Sequence, residues 1–183
     1  MKNRSIRIIL VILTLATAGP SLLWANPSFS TACLIEATPF YHRLLQAQVF
    51  EPVEGQGGEK TQPINLLFRM ARSFKYRSDR ASVDRWQSAD ETSRFYSGDC
   101  EDKAIWLYTQ LRRNGYEDVS LVIGRYGPSS REFHMWVTYK DAKGRTMLLD
   151  PTIQRKPWPE KAFPKKLYRP AHIILDGNDC VSL

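Results

Sequence analysis

Cys100 lies in the run Gly98-Asp99-Cys100-Glu101-Asp102-Lys103-Ala104, a thiol flanked by carboxylates where an amphipathic helix should begin. A helix N-terminus offers unpaired N–H groups and the positive end of the macrodipole, and both favour the thiolate, the reactive form of cysteine. His134 and Asp150 complete a set able to do nucleophilic chemistry. The imidazole would activate the thiol and protonate a leaving amine, the carboxylate would hold its tautomer, and a thioester would be the covalent intermediate. The backbone N–H of Cys100, at the helix start, is a natural oxyanion donor. Each residue alone has a structural reading: an inert buried cysteine, a strand histidine, a strand-end cap before Pro151. The combination is what points to catalysis. His172, near Asp176, reads more simply as part of a closing strand, and His42 as a surface residue.

The acidic flanks cut both ways. Asp99, Glu101 and Asp102 each gain from the helix dipole, typically ~0.3–1 kcal/mol, yet their charge opposes an adjacent thiolate. Two readings stand: Asp99 and Asp102 cap the helix while Glu101 faces solvent, or the three hold a cation such as Ca²⁺, which takes ~6–8 oxygen ligands. Either an imidazolium at His134 or that cation would offset the charge. No paired Cys or His spacing suggests zinc.

These residues need a helix and a hairpin to hold them. Asp99 with Asp102 three residues on is a near-capping-box start; Ala104, Leu107, Tyr108 and Leu111 form one apolar stripe, and Asn114-Gly115 gives a left-handed stop. An earlier helix is expected from Pro63 to about Lys75, with Ile64, Leu67, Phe68, Ala71 and Phe74 on one face, and a short one around Tyr41 to Gln48. Ser78 to Ser97 is polar and reads as mostly loop. After Gly115 the period changes to two: Val119, Leu121, Ile123, then Phe133, Met135, Val137, Tyr139, then an apolar run from Thr146 to Leu149, then Ala171 to Leu175. Asp141-Ala142-Lys143-Gly144 is a hairpin turn with Gly144 suited to a positive φ. That turn sets Asp150 level with His134 or one diagonal step away, ~4.5–8 Å at Cβ, while a one-residue slip would separate them. Helices followed by strands predict an α+β domain with an antiparallel sheet.

Residues 1–25 read as a signal peptide: Lys2, Arg4 and Arg7 precede an apolar run from Ile8 to Ala18, with cleavage expected after Leu23-Trp24-Ala25 or, alternatively, after Ala16-Thr17-Ala18. An uncleaved anchor is the competing reading, although the run is short for a spanning helix of ~20 residues. The protein is therefore expected to be periplasmic or secreted, with no stable membrane insertion. Removing residues 1–25 lowers the basic count from 26 to 23 against 19 acids, so the net charge falls from +7 to +4. That is too mild to signal nucleic acid, and no stacking or groove-binding motif accompanies it. Residues 26–61 are expected to be an irregular N-terminal segment, 62–176 the catalytic domain and 177–183 a tail. Three cysteines in an exported chain leave one unpaired, and Cys100 is that one; Cys33 and Cys180 are either both free or paired across a very long loop, worth up to ~4–5 kcal/mol. Trp158, Phe163 and Tyr168, interleaved with lysines, read as a solvated loop pinned by a few aromatics, with a membrane-facing or substrate-contacting loop as the alternative.

Trp86-Gln87-Ser88-Ala89-Asp90-Glu91-Thr92, the Gly98 to Ala104 run, His134-Met135-Trp136-Val137 and Leu149-Asp150-Pro151-Thr152, in that order, resemble the bacterial transglutaminase-like cysteine peptidases of the papain and transglutaminase superfamily. The resemblance spans residues ~62 to 153, and the ordered set is far more specific than any one motif. It implies a papain/transglutaminase-like core, with a nucleophile-bearing helix packed on an antiparallel sheet. It also implies an exported endopeptidase acting on a protein substrate, in some branches a large surface adhesin, with Asp99, Glu101 and Asp102 beside the cysteine binding calcium. Trp86 either shapes the substrate site or sits in the core. An acyltransferase that hands the thioester to an amine, or a silent binding member, remains an alternative, since hydrolysis and transfer share the acylation half. Arg155 to Pro170 matches no family pattern.

Overall fold

The computed structural model describes residues 31–34, 38–53, 60–80, 84–175 and 179–182, the first and last of these as backbone; the expected signal peptide lies outside them. In chain order the elements are β1 (Thr31–Leu34), α1 (Tyr41–Gln46), α2 (Ile64–Ser73), β2 (Lys75–Tyr76), α3 (Ala89–Phe95), β3 (Ser97–Gly98), α4 (Cys100–Arg113), β4 (Val119–Tyr126), β5 (His134–Lys140), β6 (Thr146–Leu149), β7 (Trp158–Pro159), β8 (Tyr168–Ile174) and β9 (Asp179–Ser182). Among the described residues no helix is long and apolar enough to cross a membrane.

Everything is arranged around α4. Its start is the expected reciprocal cap: the Asp99 side chain accepts from Asp102 N–H, and the Asp102 side chain accepts from Asp99 N–H. The stripe of Ala104, Leu107, Tyr108 and Leu111 is buried, but so are Ile105, Trp106 and Thr109, because α2 and α3 cover the faces that the sheet does not. Lys103 is buried with them, 4% exposed, and its Nζ donates to Phe74 O at 3.2 Å and Arg72 O at 3.4 Å. A cation on the last carbonyls of α2 complements the negative end of that helix and ties it to α4.

The sheet has seven strands in the order β1-β9-β8-β4-β5-β6-β7, every neighbouring pair antiparallel. Val119, Leu121, Ile123, Met135, Val137, Tyr139 and Leu149 pack toward α4 in one large core, as the alternation predicts. The opposite face is partly covered. Val122, Trp136, Leu148 and Tyr168 form a second buried cluster there, roofed by Trp158, Phe163 and Leu167 of the 155–167 loop.

Three expectations change. Helix α2 stops at Ser73 rather than Lys75, because Lys75 and Tyr76 leave it to pair with Ser97 and Gly98 as the parallel β2·β3 ladder. The polar stretch from Ser78 to Ser97 contains α3, whose cap is reciprocal: Ser88 accepts from Glu91 N–H and Glu91 accepts from Ser88 N–H. Only Ala89 and Thr92 of that helix are buried, too few to give an apolar period. Finally, the expected irregular segment and the expected tail both join the sheet, β1 pairing with β9 and β9 with β8. In that backbone register Cys33 is the partner of Cys180.

Candidate active site

Gly98 sets the approach to Cys100. A Cβ built on it would lie 2.5 Å from Asp102 Cβ and 2.6 Å from Asp102 Oδ2, so only glycine allows β3 to turn into α4 this tightly. The chain then caps itself at Asp99 and delivers Cys100 as the first residue of α4, ahead of the first intrahelical bond, Lys103 N–H to Asp99 O at 3.3 Å. Asp102 is a hub rather than an open ligand. It is 0% exposed, and its carboxylate accepts from Gln87 N–H (2.7 Å), Gln87 Nε2 (2.6 Å) and Asp99 N–H (3.3 Å). It thereby ties the Trp86–Ser88 segment to the helix start, and burial pushes its carboxyl up to about 6.

Hairpin β5–β6 turns through Asp141 to Gly144, with Gly144 N–H on Asp141 O at 2.9 Å and φ +70° at Gly144. The ladder pairs Val137 with Leu149. One further step along it brings Asp150 beside Trp136, one diagonal position from His134, the second of the two expected placements. His134 Nε2 lies 2.7 Å from Asp150 Oδ2, with His134 8% and Asp150 0% exposed. With Nε2 committed to the carboxylate, Nδ1 is the ring nitrogen left for proton exchange with a thiol.

Cys100, half-buried, donates its thiol proton to Glu101 Oε2 at 2.7 Å, and the backbone N–H of Met135, next to His134, also reaches the sulfur. Burial first, then the Glu101 and Asp99 carboxylates, push this thiol well above the ordinary cysteine range. The same crowding acts on Asp99: burial, then Glu101 and Asp102, push its carboxyl up to about 8. So the acidic flanks oppose the thiolate, as the sequence predicts, and Glu101 turns toward the sulfur rather than to solvent. Among the described residues, no three His, Cys, Asp or Glu side chains are grouped to hold a metal ion. The oxygens near the cysteine that N–H donors do not saturate are those of Asp99 and Glu101, hard donors suited to calcium.

Trp86 sits in the core and also borders a cavity. It is 3% exposed and stacks on Phe40 (5.7 Å, 14°), and its ring also lines a cavity of about 280 Å³ shared with Glu101, Phe133, His134 and Met135. Arg43, paired with Asp84 at 2.7 Å, lies 5.8 Å from the Trp86 ring centre on the cavity rim. Two further residues have no local sequence signal. Tyr168 donates its hydroxyl to Asp150 Oδ2 at 2.9 Å, and Gln154 Oε1 accepts from Asp150 N–H at 3.2 Å. His172 lies on β8 with its ring 5.6 Å from Phe40, and His42 is exposed.

Neither a protein-family model nor a curated protein matches the chain. Among solved structures, Legionella pneumophila LapG aligns in calcium-bound and EGTA-treated forms, each at TM-score 0.53 and 22% identity, covering 63% of this chain. A third LapG structure aligns with the same score. The chain spans about two thirds of the LapG length, 67% and 65% for the first two. At that identity the likeness concerns the backbone, and it agrees with the resemblance carried by the motifs: the chain has the α+β papain/transglutaminase-like fold of LapG.

Proposed function

We propose that the chain is an exported cysteine peptidase that cleaves a protein amide bond through Cys100, His134 and Asp150. The observation that carries this reading is the buried 2.7 Å His134–Asp150 contact, at the strand position whose next N–H, that of Met135, meets the Cys100 sulfur. His134 Nδ1 takes the thiol proton and later passes it to the leaving amine. Asp150 fixes the tautomer and stabilises the imidazolium. The thiolate forms a thioester that water resolves, and the Cys100 N–H faces the oxyanion. The 280 Å³ cavity beside Trp86 receives a substrate side chain.

Asp99 and Glu101 are the residues that would hold calcium, with backbone carbonyls and water completing the shell. A cation there would supply positive charge beside carboxylates that otherwise keep the thiol protonated. LapG, recorded with calcium and after EGTA, supports looking for it. Export rests on the basic, apolar N-terminus. Cys100→Ala should keep the fold and lose all cleavage of exported protein substrates, and an acyl-enzyme mass on Cys100 of the parent should disappear with it. Full cleavage by Cys100→Ala would end this reading.

A further inference from the structure

One oxygen of Asp150 takes two donors. His134 Nε2 lies 2.7 Å and Tyr168 Oη 2.9 Å from Oδ2, while Oδ1 accepts from Thr152 N–H at 2.9 Å and Ile153 N–H at 3.1 Å. The carboxylate therefore has donors on both oxygens, and neither can rotate without breaking bonds inside a buried site.

Tyr168 is built to stay there. It is 4% exposed, and its ring meets Trp136 (5.3 Å, 74°), Tyr126 (5.0 Å, 65°) and Trp158 (6.5 Å, 86°) in edge-on contacts. Its backbone pairs with Tyr126 at the start of β8. That strand can come in close because Gly124, the cross-strand partner of His134, has no side chain: a Cβ there would lie 2.4 Å from Arg169 O and 2.5 Å from Trp136 Cη2. The register of β4 on β8 shifts at this point, between Ile123 and Gly124. Burial and the Asp150 charge push the phenol upward, so it remains a donor.

We propose that Tyr168 is a positioning residue, its hydroxyl fixing Asp150 Oδ2 so that Cys100, His134, Asp150 and Tyr168 act as a four-membered relay. The proposal rests on the catalytic reading of the first three. It also accounts for the 155–167 loop, which no motif explains, because that loop roofs the aromatic cluster holding Tyr168 against the pair.

Tyr168→Phe keeps the ring and removes the bond. In proton NMR, an imidazole N–H locked on a carboxylate resonates far downfield, and loss of a competing donor on Oδ2 should move the His134 Nε2–H signal further downfield. Alkylation of Cys100 by iodoacetamide should slow about tenfold, the worth of one hydrogen bond to a charged group. In an Asp150→Asn background the same substitution should change the alkylation rate by less than about twofold, because Tyr168 acts only through Asp150. 3-Fluorotyrosine at position 168 keeps the hydroxyl as a stronger donor. It should restore the parent rate and shift the resonance upfield, and it tests the proposal even if Tyr168→Phe fails to fold. Parent resonance and parent rate in Tyr168→Phe, or an unmoved resonance with fluorotyrosine, would overturn the relay. His134→Ala separates the two readings: if it alkylates as fast as the parent the triad itself falls, and if it alone is slow only the Tyr168 proposal falls.

Discussion

Gly98→Ala adds one methyl group at the most crowded point of the turn into α4. The new Cβ would sit 2.5 Å from Asp102 Cβ and 2.6 Å from Asp102 Oδ2, distances that real Cβ contacts do not show, so Asp102 must move. Asp102 is fully buried and accepts three N–H bonds, two from Gln87 and one from Asp99, so any movement breaks at least one bond to a charged acceptor. Overpacking of a dense site costs about 1–3 kcal/mol, and a lost hydrogen bond to a charged group about 1.5–3 kcal/mol. The total, about 2.5–6 kcal/mol, corresponds to roughly 5–25 °C in melting temperature for a domain of this size. Urea unfolding monitored by tryptophan fluorescence measures it, and iodoacetamide labelling of Cys100 in the native state reports whether the helix start has shifted. A Gly98→Ala protein within about 0.5 kcal/mol of the parent, with unchanged labelling, would refute the claim that Asp102 anchors this turn.

Cys33 and Cys180 are partners in the β1·β9 register, where paired Cα atoms lie ~4.5–5.5 Å apart, inside the disulfide range. The oxidised protein should show one reactive thiol in denaturant and three after reduction, and three before reduction would exclude the bridge. Trp86→Ala removes a wall of the 280 Å³ cavity along with a core ring; it should destabilise the fold by about 3–5 kcal/mol and raise KM more than it lowers kcat, and an unchanged KM in the folded variant would remove the substrate role. Calcium titrated into the metal-free protein should bind in the parent and not in Asp99→Asn/Glu101→Gln, as read by isothermal calorimetry. Equal binding by both would move the site elsewhere, and none by either would remove it.

The sequence shows most plainly what short-range rules control. The cap at Asp99, the stripe of α4, the turn at Gly144 and the alternation in β4 and β5 each depend on residues a few positions apart, and all are present as predicted. Helix α3 is written in its Ser88–Glu91 cap rather than in periodicity, since only two of its residues are buried. What stays hidden comes from distance along the chain. Tyr168 meets Asp150 because β8 crosses back beside β4, and β1 meets β9 because the two ends of the chain share a sheet edge. The hairpin allows two same-face placements of Asp150, and the ladder, with Val137 opposite Leu149, selects the diagonal one. The acidic flanks are legible as a conflict with the thiolate; that Glu101 itself accepts the thiol's hydrogen bond is a matter of rotamer that no spacing rule reaches.

His134, held by Asp150, is what makes Cys100 a nucleophile in this reading. The most direct measurement is the second-order rate of Cys100 alkylation by iodoacetamide at neutral pH in the parent and in His134→Ala, with calcium present and circular dichroism confirming the fold. Without the imidazole the rate should be at least about a hundredfold lower, in keeping with the ~10²–10⁴-fold worth of a positioned base. Equal rates in the two proteins would contradict that role for His134.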